Sequence, residues 1–410
     1  MSEFLELNTP IRFWKVFAEN LKMKELEKET IDFLKSRGRI VAEDILSPVN
    51  LPPFARSTVD GFAVRAKDTS GASESLPVYL NVLAEVLMGE NADIKMNAGE
   101  AVKIPTGGML PADADAVIMV EYTDYLDENM IETAASVAVG ENVVKCGEDI
   151  AKGNILLHKG HRIRPQDIGA LAGLGITEIE VFKKPLVTVI STGDELIPPD
   201  KTPEKGEIRD INSYTIAAVL EETGARIRYA GIVSDTFSEL KDVVEKNLDS
   251  DLVLISGGSS VGVKDMTIDV LNTLGEPGVV LHGVSIKPGK PTIMAFIDDV
   301  PVMGMPGHPA SSWTITNQFI KGIVNKLSAE KIKSFPHIIK AVLSRNLVSD
   351  KGREEYVPVS LKKDNSSYIA EPITGKSSLI TTFVEADGYL IIGHYQEGLN
   401  KDDLIDVYLY

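Results

Sequence analysis

Acidic and glycine residues gather at four places between residues 191 and 312. STGDEL (191–196) holds Asp194 and Glu195, GIVSDT brings Asp235, GGSSVGVKD (257–265) ends on Asp265, and GMPGHPASS (304–312) runs into Pro309. Glycine turns present backbone N–H groups to anions, and carboxylates beside such a pocket suit a hard cation, Mg²⁺, that bridges to phosphate oxygens. The candidate cation ligands are Glu195, Asp235 and Asp265. The same acidic residues, standing ahead of helices, could instead cap free N–H groups, and any one glycine turn needs no ligand. IKPGKP (286–291) sets Lys287 and Lys290 in a turn stiffened by Pro288 and Pro291 around Gly289, which suits two ammonium groups closing on one oxyanion. A solvated lysine turn is the alternative. Neither GxxxxGK[ST] nor GxGxxG occurs, which removes the main support for an ATPase or a dehydrogenase.

These loops need strands to aim them. From Lys184 the pattern alternates: LVTVIST (186–192), a helix over 213–224, RIRYAGIV (226–233), a helix over 237–248, LVLISGG (252–258) and a helix over 265–275. That alternation predicts a parallel sheet covered by helices, whose ligand crevice lies beyond the carboxyl ends of the strands. VMGMPGHP and a helix from about Ala310 to Leu327 close the unit. Upstream, Thr9 and Pro10 open a helix carrying Ile11, Trp14, Phe17 and Leu21 to about Met23, and a second helix is expected from about Glu25 to Gly38. Short strands bounded by Gly, Pro, Asn and Asp then run to about residue 160, and Pro165 opens another helix. In that stretch STVDGFAV (57–64) and IPTGGMLP (104–111) could both be plain hairpin turns. After a charged linker (328–336) short strands return to the C-terminus.

Four hundred and ten residues suggest two to four domains at about 150 residues each. An apolar share of 43% with 25% charge is that of a globular chain. The net charge of −18 repels nucleic-acid backbones and anionic lipid, so neither nucleic acid nor membrane is an expected partner. One cysteine, Cys146, cannot form an internal disulfide, a four-thiolate zinc site or an iron–sulfur site within one chain, and the six scattered histidines show no HExxH. With neither a signal-like start nor a run of about 18 apolar residues, the chain is expected to be cytoplasmic.

Taken in order, STVDGFAV, IPTGGMLP, STGDEL, GGSSVGVKD, IKPGKP and MPGHP resemble the signature segments of the molybdopterin molybdenumtransferases, the MoeA family that includes the gephyrin E domain. The resemblance covers essentially the whole chain and implies a multidomain α/β and β fold. A central MogA-like three-layer α/β domain with a parallel-rich sheet (184–328) would bind the molybdopterin nucleotide. It would carry a β-rich N-terminal lobe (27–139), a helical and β linker domain (1–26 with 140–183) and a C-terminal β-barrel-like domain (336–410). The activity implied is insertion of molybdate or tungstate into adenylyl-molybdopterin with release of AMP.

Residue by residue, the resemblance assigns Asp60 and Thr106 to a lobe that faces the nucleotide site of a partner subunit, and so implies a homodimer with a shared active site. Glu195, Asp235 and Asp265 match acidic positions of the pocket; Lys287 and Lys290 match residues that hold the oxyanion. Ser191, Thr192 and Gly193, then Gly257, Gly258, Ser259, Ser260 and Gly262, then Pro288, Gly289 and Pro291, and Pro306, Gly307, Pro309 and Ser311 fall in the nucleotide and oxyanion loops, with backbone amides of 257–262 and 304–308 on the phosphates. Arg353 with Ser377 or Ser378 corresponds to a C-terminal contribution to the molybdate site. The family usually has Asn where His308 stands, Asn where Asp387 stands and Met where Val59 stands. A MogA-like adenylyltransferase and molybdoenzyme apoproteins are implied partners. Two other readings are weighed: a MogA-like adenylyltransferase, disfavoured by the length of the chain, and a dimeric scaffold of the gephyrin E type.

Overall fold

The computed structural model describes residues 8–22, 24–257, 261–331, 337–364, 367–373, 375–376 and 378–410; of 261–265 only the backbone is described. Two compact units are present: 30–37 with 41–181, and 1–29 with 38–40 and 182–410.

In the first unit a six-stranded mixed sheet runs in the order Ala116–Met119, Gly61–Val64, Glu100–Ile104, Val78–Glu85, Met130–Thr133, Thr123–Tyr125. Side chains alternate across it, so Phe62, Val64 and Ile118 enter one core while Ala63, Val102 and Val117 enter another. Both faces are therefore covered. Gly61 lies so close to its neighbour that a Cβ would sit 1.9 Å from the Ile118 carbonyl oxygen, a spacing only glycine allows. A separate core of Val41, Leu157, Ile163, Leu171, Ile179 and Val181 packs on a helix at Pro165–Gly173.

The helix expected over 25–38 does not form. Its place is taken by a strand at Lys28–Asp32 and a 3-10 turn at Phe33–Lys35. The β-branched pair Thr30 and Ile31 favours the extended chain, and the Asp32 carboxylate accepts the Leu34 N–H at 2.8 Å, capping the turn where a helix would have continued.

The second unit opens with α1 (Pro10–Asn20), capped as its sequence predicts by Thr9, which accepts the Arg12 N–H at 3.2 Å. It stops short of Met23, and its buried residues are Phe13 and Phe17 while Ile11 stands in solvent. The central sheet comprises β1 (Leu186–Thr192), β2 (Arg226–Val233), β3 (Leu252–Gly257), β4 (Pro277–His282), β5 (Ile293–Ile297) and β6 (Val300–Met305), in the order β2-β1-β3-β6-β5-β4. Neighbours from β2 to β6 in that order are parallel and the last two pairings antiparallel. Helices α2 (Asn212–Thr223), α3 (Phe237–Glu245), α4 (Val261–Leu274) and α5 (Pro309–Ile315) connect or follow these strands. β1 is buried at every residue, as a strand covered on both faces must be.

The C-terminal strands β7 (Ile338–Leu343), β8 (Glu354–Asp364), β9 (Ser367–Pro372), β10 (Gly388–Ile392) and β11 (Leu404–Leu409) close into a five-stranded barrel, β8 pairing both β9 and β10. Its interior holds Ala341, Leu343, Val359, Ala370, Leu390 and Val407. Ile286 and Lys287 pair in parallel with Glu354 and Glu355, so the lysine turn is stitched to the barrel wall. Among the described residues no helix is long and apolar enough to cross a membrane.

Candidate functional site

Because β1, β2, β3 and β6 are parallel, the segments after all four emerge at one edge of the sheet. They surround a cavity of about 780 Å³ lined by Thr192, Glu195, Asp235, Ser256, Gly257, Gly307, His308 and Pro309. Three carboxylates meet here. The Asp235 N–H donates to Asp194 Oδ1 at 3.1 Å, and the Glu195 carboxylate folds over Gly193, where a Cβ would come within 2.8 Å of it. Burial raises the Asp235 carboxyl above its ordinary range, and the charges of Asp194 and Glu195 raise it further. The Thr192 hydroxyl beside it lowers it by less; among the described residues, Asp235 Oδ1 and Thr192 Oγ1 are both buried without a hydrogen-bond partner. A buried acceptor among like charges calls for a cation or a donor from a ligand.

Gly257 closes the floor. Its φ is +139°, and a Cβ there would stand 2.1 Å from the Thr192 carbonyl oxygen. Gly258, Ser259 and Ser260 lie outside the described residues, as do Ser377 and the side chains of 261–265, Gly262 and Asp265 among them. The backbone nevertheless decides one alternative. α4 already runs through Val261, ahead of the expected start, so Asp265 lies inside the helix and cannot be its N-cap.

A second cavity of about 440 Å³ lies at the lysine turn. It is lined by Lys287, Pro288, Gly289, Lys290, Ser311, Arg353 and, beyond those expected, Glu355 and Lys376. The two share no lining residue, but successive residues in the first turn of α5 wall them, Pro309 the first and Ala310 and Ser311 the second; Ser378 lines the first. Lys287 Nζ pairs with Glu355 Oε1 at 3.0 Å, and Glu355 Oε2 accepts the Ser349 hydroxyl at 2.6 Å. Gly289 has no room for a side chain, since a Cβ would meet Ile286 Cδ1 at 2.9 Å.

Some expected contacts fall behind the walls. Ser191 donates its hydroxyl to Asp210 Oδ2 at 2.6 Å, and Gly193, Pro291 and Pro306 line neither cavity. Asp387 lines neither as well; its carboxylate accepts the Leu361 N–H at 2.7 Å. The segment Asp210–Asn212, absent from the expected site, walls the first cavity. Asp210 is buried and takes the Ser191 and Ser213 hydroxyls and the Ser213 N–H. Asn212 Nδ2 donates to Ser256 Oγ at 3.0 Å and to the Gly307 carbonyl at 2.8 Å, tying the ends of β3 and β6 together. An Asp three residues before a Ser at a helix start is a capping signal that a sequence can show; the contacts to Ser256 and Gly307 are long-range and it cannot.

Asp60 and Thr106 belong to the first unit. They meet there, the Asp60 Oδ1 accepting the Thr106 N–H at 2.7 Å and the Thr106 hydroxyl at 3.1 Å, both residues exposed.

The profile of the MoeA N-terminal region (domain I and II) matches residues 11–175, that of a probable molybdopterin binding domain matches 188–326, and that of the MoeA C-terminal region (domain IV) matches 340–410. A molybdopterin biosynthesis protein of Methanocaldococcus jannaschii is 37% identical over 95% of this chain and 93% of its own. The molybdopterin molybdenumtransferase of Bacillus subtilis is 32% identical over 94% and 90%. A crystal structure of a MoeA molybdopterin biosynthesis protein from Pyrococcus horikoshii superposes with a TM-score of 0.81 at 37% identity, covering 98% of this chain and 99% of that one. A second from the same species gives 0.84 at 31% identity over 99% and 100%. Fold and site define a multidomain enzyme of molybdenum cofactor biosynthesis built around a MogA-like α/β domain. The chain belongs to the MoeA family, the molybdopterin molybdenumtransferases, and is a transferase.

Proposed function

We propose that the chain inserts molybdate, or the isosteric dianion tungstate, into adenylated molybdopterin with Mg²⁺-dependent release of AMP. The observation that carries this reading is that adjacent residues of the first turn of α5 wall two chemically opposite cavities: carboxylates at the strand ends line one, Lys287, Lys290, Lys376 and Arg353 the other. A phosphoanhydride bridged through a cation belongs in the first, and a tetrahedral oxyanion in the second. Asp235 Oδ1, without a partner among the described residues and crowded by Asp194 and Glu195, fits a divalent cation. Asp235 and Glu195, with Asp265 on α4, would hold it, and when bound it polarises the anhydride and neutralises the developing charge.

The rest is done by the chain. Backbone N–H groups after Gly257 and at the start of α4 receive phosphate oxygens. The lysine turn, pinned by Pro288 and Pro291, holds the oxyanion beside the dithiolene, so two Mo–S bonds form as one oxo ligand leaves as water with the two thiol protons, while a second water cleaves the P–O–P link and AMP leaves. Holding the reactants together is worth about 7–11 kcal/mol of barrier. No nucleophilic triad is needed. The Asp60–Thr106 pair of each subunit serves the partner's cavity in a two-fold homodimer. Incubating the protein with adenylyl-molybdopterin, Mg²⁺ and molybdate or tungstate, and following AMP, tests the reading; bound substrate without AMP release above the enzyme-free rate overturns it.

A further inference from the structure

A third cavity, of about 430 Å³, lies on the side of the first away from the lysines. Its walls are Val189 on β1, Tyr229, Gly231 and Ile232 on β2, Leu196 and Pro198, and Asp210, Ser213 and Tyr214 at the start of α2. Leu196 and Asp210 wall both it and the first cavity, so the two are neighbours. Tyr214 and Tyr229 are 45% and 50% exposed, with ring centroids 5.6 Å apart at 33°. Half-exposed aromatic rings beside a substrate cavity offer π-faces to a planar group. The Asp210 oxygens are taken by Ser191 and Ser213. What the site presents is faces more than hydrogen-bonding edges.

Strand order gives the three cavities a sequence along the sheet. The tyrosine cavity stands over β2 and β1, the carboxylates follow at the ends of those strands, and the lysine cavity lies past α5, beyond β6. The substrate has a fixed order too: pterin and dithiolene, then the diphosphate, then ribose and adenine. With the dithiolene at the oxyanion and the diphosphate at the carboxylates, the adenine must leave on the opposite side from the lysines. We infer that the adenine ring of the substrate rests in the Tyr214–Tyr229 cavity, held by stacking. This deepens the reading proposed above and rests on it.

Titration calorimetry with AMP and with inorganic pyrophosphate, both with Mg²⁺, tests the inference on the full chain. Tyr214→Leu and Tyr229→Leu, singly and together, should weaken AMP at least about fivefold, since a base on an aromatic ring is worth about that much or more. Pyrophosphate affinity should stay within twofold, which also shows that the cavity has kept its fold. Tyr214→Phe and Tyr229→Phe keep the ring faces and should keep AMP affinity. AMP binding unchanged in the leucine variants, or lost equally in the phenylalanine ones, overturns the inference and leaves the transferase reading standing. Wild-type protein that binds pyrophosphate but no AMP overturns both.

Discussion

One oxygen of Asp60 accepts two hydrogen bonds from Thr106, one from its backbone and one from its hydroxyl, across 46 residues of sequence. The pair locks the STVDGFAV and IPTGGMLP segments together at an exposed position of the β-rich unit, with Gly61 pressed against the next strand behind it. An exposed, doubly donated carboxylate adds little to the stability of its own unit. Its value lies in presenting a rigid acidic and hydroxyl pair outward.

The proposed shared site is testable by mixing. Asp60→Ala and Asp265→Ala proteins, each inactive, should regain activity when their subunits exchange, because one site of each heterodimer then carries both defects and the other neither. Heterodimers shown by mass that remain as inactive as either parent would mean that Asp60 serves its own chain.

Asp265→Asn should keep the fold and nucleotide binding while Mg²⁺-dependent AMP release is lost. Its place inside α4 means that no helix cap is removed with the charge. A magnesium titration of AMP release that superposes on wild type would remove Asp265 from the cation site.

Lys290→Ala should raise the molybdate concentration needed for half-maximal rate far more than it weakens AMP. The gap from wild type should narrow as salt screens the contact. Lys287→Ala carries a further cost, since it strips Glu355, 15% exposed, of its ion pair. A melting temperature that falls with Lys287→Ala but not with Lys290→Ala separates the two roles; equal losses of AMP and molybdate would put Lys290 on phosphate.

Asn212→Ala should loosen the edge of the sheet. Two hydrogen bonds of a buried carboxamide are lost, at a cost of about 1–3 kcal/mol, and the Ser256 and Gly307 ends are released together. The expected result is a lower melting temperature with weaker AMP binding, and Asn212→Asp should recover neither. Unchanged binding with a lower melting temperature would leave Asn212 a stability residue alone.

Acid stability has a separate seat. Burial works to raise the Asp167 carboxyl, but hydrogen bonds from Arg164 and His161 outweigh it and hold the group at about 2. A carboxyl depressed in the folded state stabilises above its unfolded value and loses that contribution as pH falls through the folded one, here from about 4 to about 2. Asp167→Asn should therefore lower stability at neutral pH by about 2 kcal/mol and flatten its decline over that window, as read from urea unfolding at several pH values. A parallel decline in both proteins would assign the acid sensitivity elsewhere.

Periodicity by itself determined most of the architecture. Runs such as LVTVI and LVLIS must be buried on both faces, and their alternation with amphipathic helices leaves a parallel sheet as the way to cover them. Parallel strands send their loops to one edge, which is why GDE, SDT and PGHP could be read as one site before any coordinates. Local chemistry also made Thr9 a cap and Pro165 a helix start. Between 25 and 38 it misled, because the apolar positions there suit a helix about as well as a strand, and the Asp32 cap and the β-branched Thr30–Ile31 tipped the balance. What only the tertiary structure decided was contact between distant segments: Asn212 reaching Ser256 and Gly307, Lys287 paired with Glu355, Thr106 closing on Asp60, and the placing of the acidic and basic cavities on adjacent residues of α5. Such contacts depend on strand order and on how the barrel docks against the lysine turn, and neither leaves a periodic trace in the chain, since packing of remote side chains is set by three-dimensional complementarity rather than by spacing in sequence.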